Sequence, residues 1–244
     1  MANCKLCYRD AKLVKAHIIP KSFWEIDPTQ ALAVLTNRAG EYPKRSRVGV
    51  YDSTIVCESC ECSFSDYDSY AAQILLNDAK KFVSLRDGIG TIIAHVVRDI
   101  DYRLLKLFGI AVLWPAGASS HGFFRRVQLG HYFEQARDML LRADPGAFDD
   151  FGITFAMWNG TEGPLFMDPF SERWDGVNYY RFYLGRYVAY IKVDRRPVPS
   201  IFSELVLRPD APLLLVSRSL KRSKELPLMR RIFEQTQPVR RPSI

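Results

Sequence analysis

Two Cys-x-x-Cys pairs near the start of the chain have the residue type and spacing of a metal site. Cys4 and Cys7 form the first pair, and Cys57 and Cys60 form the second. A Cys-x-x-Cys turn can present two sulfurs to one metal ion, and zinc takes four thiolate ligands in a tetrahedral arrangement at about 2.3 Å. The sequence therefore predicts one structural Zn²⁺ ion bound by these four side chains.

Other uses of these cysteines are less consistent with the sequence. A disulfide framework requires an oxidising compartment, and the N-terminal residues contain no apolar segment typical of a secretion signal. A redox-active pair of the thioredoxin type lies between a strand and a helix, and neither pair has that context. Unrelated buried thiols remain the alternative to a zinc site. The fifth cysteine, Cys62, would be a free thiol or a substitute ligand.

Side chains suited to acid–base and metal chemistry lie close to the cysteine pairs. His17 stands in an Ala-His-Ile-Ile-Pro segment, Asp52 precedes the second pair and Glu61 follows it. A neutral imidazole can accept a proton at physiological pH because its pKa is ordinarily about 6.5. Carboxylates favour a hard ion such as Mg²⁺ or Mn²⁺. Asp66 or Asp68 would lie near Glu61 if the following segment is helical, and could join such a site.

The order of these residues is Cys-x2-Cys-x9-His-Ile-Ile-Pro, followed by Asp-x4-Cys-x2-Cys-Glu. It resembles the zinc-stabilised branch of the HNH endonucleases over roughly residues 1–70, and implies a ββα-metal or treble-clef finger. The resemblance implies that His17 is the general base, that Asp52 stands at the middle Asn position, and that Glu61 is a ligand of the catalytic metal. The chain departs from the family pattern at both carboxylates and at Ala16, where a metal ligand is usual.

The resemblance implies hydrolysis of phosphodiester bonds in nucleic acid, with DNA favoured over RNA. A further hypothesis, which the residues do not establish, is that the protein is a subunit or effector of a larger bacterial or phage defence complex. A catalytic Mg²⁺ or Mn²⁺ ion would stabilise the charge that develops on the leaving oxygen. The departures favour an alternative, a non-catalytic zinc finger that binds nucleic acid or a partner protein. In that case Asp52 would form a turn, Glu61 would complement a helix dipole, and His17 would hydrogen-bond the backbone.

Positive charge is concentrated at the two ends of the chain. The net charge at pH 7 is +7. Residues 218–244 contain eight basic and two acidic side chains, and residues 1–60 contain nine basic and six acidic ones. This distribution suits a polyanionic partner if the two segments share a face, whereas a solvated surface with a basic tail is the alternative.

The length of 244 residues is sufficient for one large or two small domains. No apolar run approaches the roughly 20 residues of a membrane span, so we expect a cytoplasmic protein without a membrane partner. The sequence leaves open whether the chain forms a homodimer or binds a partner protein.

The elements that must position the site are predicted from the periodicity of apolar residues. A strand leads into His17, and helical periodicity begins at residue 66 and continues to about residue 82. Further helices are predicted within 98–114, ending before Pro115, and over 129–143. A final helix over 224–237 has Pro227 in its first turn, where proline is tolerated.

The period shortens beyond residue 151, and strands are predicted there. They cover 153–158, 179–184, 187–193, 204–207 and 213–216, with a hairpin turn at 184–186. We therefore predict an α+β fold with an HNH-like finger over 1–70. Residues 71–244 would form a support or recognition domain with a helical middle, an antiparallel β-rich part and a final helix.

Overall fold

The computed structural model describes residues 2–24, 32–35, 44–46, 49–159 and 166–235. The N-terminal segment consists of very short elements. Its strands are β1 (Ala2–Asn3), β2 (Asp10–Ala11), β3 (Ala16–His17), β4 (Leu32–Leu35), β5 (Lys44–Ser46) and β6 (Tyr51–Asp52), and its helices are α1 (Lys21–Trp24), α2 (Glu58–Cys62) and α3 (Ser65–Ala72). β1 pairs with β2, and β3 pairs with β6, both antiparallel. These two strand pairs bring the two cysteine-containing segments and His17 into one unit.

The region after α3 changes its helical geometry before the chain becomes extended. One π-helical turn covers Gln73–Asn77, and a 3-10 turn covers Ala79–Lys81. The helical prediction that began at residue 66 is therefore confirmed in type, although it is not one continuous α-helix.

Helix α4 (Tyr102–Ala118) is the most deeply buried helix of the described chain, and α5 (Tyr132–Arg142) packs beside it. The Asp101 side chain caps α4 by accepting a hydrogen bond from the N–H of Leu104, at 2.9 Å. The prediction that Pro115 ends this helix is wrong, because the helix continues to Ala118. Its last carbonyl accepts a hydrogen bond of 2.6 Å from Lys5 Nζ, which satisfies a group that helix ends leave unpaired.

A seven-stranded sheet has the order β11-β12-β13-β9-β14-β8-β7. It is antiparallel except where β14 lies parallel to β9. The strands are β7 (Val83–Arg86), β8 (Ile92–Val97), β9 (Ile153–Trp158), β11 (Phe170–Trp174), β12 (Val177–Leu184), β13 (Tyr187–Lys192) and β14 (Leu213–Arg218), while β10 (Phe166–Met167) pairs with β4 outside this sheet. The predicted α+β class is confirmed.

One predicted strand is wrong, and three strands of the sheet were not predicted. Residues 204–207 do not form a strand, because Ser200–Leu205 is a 3-10 helix and only Val206 forms a bridge, with Thr154. β7 has no alternation of buried and exposed residues, since all four of its residues are exposed. β8 and β11 were also missed. Sequence periodicity detects half-buried strands more readily than strands at the edge of a sheet.

The face of the sheet that carries the helices forms one core with the N-terminal segment. Leu6 and Ile18 belong to the same buried cluster as the apolar side chains of α4 and the sheet. The ring of Phe23 stacks on that of Phe108 with centroids 5.5 Å apart. The domain boundary near residue 70 stays a prediction, and the core is continuous across it. No helix within the described ranges is long and apolar enough to cross a lipid bilayer.

The opposite face of the sheet is aromatic and is associated with helix α6 (Glu225–Gln235). Residues 236 and 237 of the predicted final helix lie outside the described residues. Glu225, in the first turn, is buried and accepts hydrogen bonds from Arg181 and Arg218 of the sheet. The Arg218 guanidinium also lies 4.6 Å from the Trp158 ring. The two arginines keep the pKa of Glu225 below its usual value although burial acts to raise it. This carboxylate is therefore a charged anchor between α6 and the sheet.

Replacing the anchor tests its contribution to stability. Glu225→Gln should lower the free energy of unfolding by about 3 kcal/mol, because it removes the counter-charge of the partly buried Arg218 and one of the two carboxylates that pair with the buried Arg181, the other being Glu172. Glu234→Gln is the matched control, since Glu234 is an exposed residue of the same helix, and should change stability by no more than about 0.5 kcal/mol. Urea denaturation of both variants measures the difference. Equal stabilities would contradict the role of Glu225.

Candidate metal centre and the His17 surface

The sulfur atoms of Cys4, Cys7, Cys57 and Cys60 form a compact cluster. They all lie within 4.8 Å of one another, and the sulfurs of Cys7 and Cys57 are 3.9 Å apart. A tetrahedral zinc site with bonds of about 2.3 Å requires sulfur–sulfur separations of about 3.8 Å. The dimensions and the four thiol donors therefore fit a structural zinc ion. Cys62 is exposed and is not part of the cluster.

Backbone N–H groups position both cysteine pairs. The first pair lies in the turn between β1 and β2, where Tyr8 has a positive φ of 59° and its N–H donates to the carbonyl of Cys4 at 2.8 Å. Cys57 is the N-cap of α2, and its N–H points to the Cys4 sulfur at 3.4 Å. Such N–H to sulfur contacts orient metal ligands and stabilise thiolate charge. The turn and the helix are thus already positioned for one shared ion.

The thiol pKa values indicate how close packing acts on the cluster. Burial raises the pKa of Cys60, and hydrogen bonds with the neighbouring cysteines raise it further. Burial acts in the same direction on Cys7, but hydrogen bonds from the Arg9 side chain and backbone outweigh it and lower that pKa to about 6. Four thiolates cannot be packed this closely without a compensating cation, which a divalent zinc ion supplies.

His17 and Glu61 lie next to each other beside the cysteine cluster. Burial raises the pKa of Glu61 to about 7, and the nearby backbone N–H of His17 acts in the opposite direction. Burial raises the pKa of Asp68 to about 8, and the nearby charge of Glu61 contributes to the shift. Cys60, a candidate zinc ligand, and Glu61, which lies near β3, are consecutive and share one turn of α2. The structure therefore brings together His17 and two carboxyl groups.

The His17 surface, defined as Lys15, His17 and Tyr51, lies on one side of the β3–β6 strand pair. His17 is paired with Tyr51 in the register, and their rings are 5.9 Å apart. Lys15 Nζ lies 5.1 Å from the centre of the Tyr51 ring, which is 39% exposed. A cation and an accessible aromatic ring are therefore displayed together beside the imidazole, whose Nε2 atom is buried. Sequence reasoning overlooked Lys15 and Tyr51, although the two-residue spacing of Lys15 and His17 was a signal for a shared face.

Asp52 lies on the opposite side of the same strand pair. It pairs with Ala16, and side chains of consecutive strand residues point to opposite faces. Its carboxylate accepts hydrogen bonds from Thr54 N and Oγ1, at 2.8 and 2.7 Å, and from Ser119 Oγ at 2.6 Å. These bonds keep its pKa below the usual value although burial acts to raise it. Its contacts are those of a turn former that joins the finger to the end of α4.

No family model, curated protein or solved structure matches the chain. The roles of the site residues must therefore be argued from geometry and from the motif. Within the described part of the chain, the four cysteines are the only group of three or more potential metal ligands that lie this close together. A catalytic role for His17, Asp52 and Glu61 stays a prediction, and the structure groups two of the three.

The zinc assignment predicts a specific metal content. Purified protein should contain about one zinc per chain, and Cys57→Ser should lose it and unfold the finger, because structural zinc contributes about 10 kcal/mol or more to folding in small zinc domains. Cys62→Ser is the control and should retain the zinc. Elemental analysis together with thermal melting measures both effects. Full zinc retention in Cys57→Ser would contradict the four-cysteine assignment.

The contacts of Asp52 predict that its removal affects stability. Asp52→Ala should destabilise the protein by about 2 kcal/mol, since it leaves two hydroxyl groups and one backbone N–H without their acceptor. Asp66→Ala removes an exposed carboxylate from the same finger and should cost well below about 1 kcal/mol. Chemical denaturation of zinc-loaded protein compares the two. A stability loss no larger than that of Asp66→Ala would contradict the structural role.

Proposed function

We propose that the finger is a metal-dependent nuclease centre that hydrolyses phosphodiester bonds in nucleic acid, as in the HNH endonucleases that its motif resembles. The observation that carries this proposal is the contact between β3 and α2, which groups His17 with Glu61 and Asp68 beside the cysteine cluster. Titratable groups with perturbed pKa values that lie together are candidates for a functional site.

His17 would act as the general base. Its imidazole would accept a proton from the attacking water, and its backbone N–H lies near the Glu61 carboxylate. Because of this proximity, β3 would carry the base close to the two carboxylates. On the side of the β3–β6 strand pair that carries His17, Lys15 would contact a phosphate of the substrate. Tyr51 would pack against a sugar or base there.

Glu61 and Asp68 would hold the catalytic Mg²⁺ or Mn²⁺ ion. The residues present fit this use, because Mg²⁺ commonly takes only one or two protein carboxylates and completes its coordination with water and substrate phosphate oxygens. When bound, such an ion would stabilise the negative charge on the scissile phosphate. The structural zinc would have a different part, since its ligand Cys60 fixes the helical turn that carries Glu61.

A second candidate function is a non-catalytic finger that binds nucleic acid or a partner protein. The contacts of Asp52 favour it, because hydrogen bonds from Thr54 and Ser119 engage both carboxylate oxygens. In that case Lys15 and Tyr51 would still contact nucleic acid. Binding would then weaken steeply with salt, and no cleavage would accompany it.

The test is cleavage of supercoiled plasmid DNA by the purified protein in Mg²⁺ or Mn²⁺. His17→Ala should reduce the rate by at least about 100-fold, because general base catalysis typically contributes that much, and it should retain full zinc content. His131→Ala is the matched control, since His131 is an exposed histidine at the start of α5. Its rate should equal that of the natural chain.

The same assay separates the two candidate functions. Absence of cleavage with either metal, on DNA and on RNA, together with salt-sensitive binding, would replace the nuclease by the binding module. Cleavage that survives His17→Ala would place the chemistry elsewhere in the chain.

A further inference from the structure

The hairpin formed by β7 and β8 carries an unusual amount of exposed apolar surface. Half of the large apolar side chains that are exposed in the described chain belong to it. Val83 is 55% exposed, Leu85 41%, Ile89 89% and Ile93 49%. Single exposed apolar residues need no explanation, but a group of them on one element marks an interaction surface.

β7 is also an edge of the seven-stranded sheet. It pairs with β8 on one side, and none of the described strands pairs with its other side. An open edge presents backbone N–H and C=O groups that can pair with a strand of another chain. A register shift between Leu85 and Arg86 bends the end of the strand toward the hairpin turn. The straight part is therefore short, and side chains must supply much of the affinity.

Two copies of β7 can pair antiparallel with Ser84 opposite Ser84, and their side chains are then complementary. In an antiparallel pair centred on Ser84, Val83 meets Leu85 of the second copy, and each pair of this kind occurs twice. Self-complementarity of this kind is what a two-fold interface between identical chains requires.

We propose that the protein forms a homodimer in which β7 pairs antiparallel with β7 of a second copy, with Ser84 on the two-fold axis. Val83 and Leu85 lie on the same face of the sheet as Ala94 and Val96, their partners on β8. The dimer would therefore join two sheets edge to edge and continue their apolar face from one chain into the other. This inference is independent of the proposed nuclease activity.

The first experiment measures the mass of the full chain in solution by light scattering after size exclusion, over a range of micromolar concentrations. The natural sequence should have twice the mass of one chain. Leu85→Lys should give a single chain, since the two introduced lysines would replace the apolar contacts with Val83 of the second copy and would bring two like charges close to the axis. Ile201→Lys is the matched control, because Ile201 is 73% exposed on a different element. It should remain a dimer, and circular dichroism should show both variants folded.

A second experiment tests the register. Directly opposite residues of antiparallel strands have Cα atoms about 4.5–5.5 Å apart, which a disulfide can span. In a Cys62→Ser background, Ser84→Cys should form a covalent dimer under mild oxidation. Arg86→Cys should not, because it would face Phe82 of the second copy.

Three results would overturn the proposal. The first is a single-chain mass for the natural sequence. This holds even if removal of residues 236–244 produces a dimer, because the edge of the full chain would then be occupied by its own tail. The second is a dimer that persists in Leu85→Lys. The third is efficient cross-linking through Arg86→Cys instead of Ser84→Cys.

Discussion

The cluster of four sulfurs is the constraint on which the finger depends. The strands around it are two residues long, and they cannot form a stable sheet without further support. The cluster connects the turn after β1 to the first turn of α2, although these are distant in sequence. Because Glu61 follows Cys60 directly, the position of this carboxylate beside His17 is a consequence of the same cluster.

The finger also depends on the helices, since several polar contacts join the finger to α4, to Ser119 just beyond it and to α5. Arg137 of α5 donates from Nε to the carbonyl of Leu6 at 2.6 Å, and its guanidinium lies 3.8 Å from the centre of the Tyr8 ring. Lys5 contacts the last carbonyl of α4, and Asp52 contacts Ser119 just beyond it. Metal ligation and docking on α4 and α5 would therefore stabilise the same part of the chain. The sheet supports the helices from behind and contributes to the same core.

Much of this arrangement could be predicted where a residue pattern has one physical meaning. The cysteine spacing identified the cluster, and helical periodicity located α4 and α5, because both patterns are local. The error at Pro115 arose because a proline removes one hydrogen bond, the one from its own backbone nitrogen to the carbonyl four residues earlier, and the burial of α4 on both sides of Pro115 outweighs that loss. The missed edge strand β7 has no buried side to create an alternation. The surroundings of Asp52 depend on Ser119, which no local pattern can reveal.

Strand alternation places Asp52 and His17 on opposite faces of the β3–β6 strand pair. Asp52 points to the face that joins α4, where hydrogen bonds satisfy it, while His17 lies on the face with Tyr51. On the helical side of this site, two carboxyl groups have raised pKa values, so the folded state binds their protons more tightly than the unfolded chain does. Their contribution to stability therefore declines as the pH rises from about 4.5 through 7 and 8. Burial is the main cause of both shifts, and the charge of Glu61 adds to the shift of Asp68, so the two carboxyl groups lie close enough to repel each other when both are ionised.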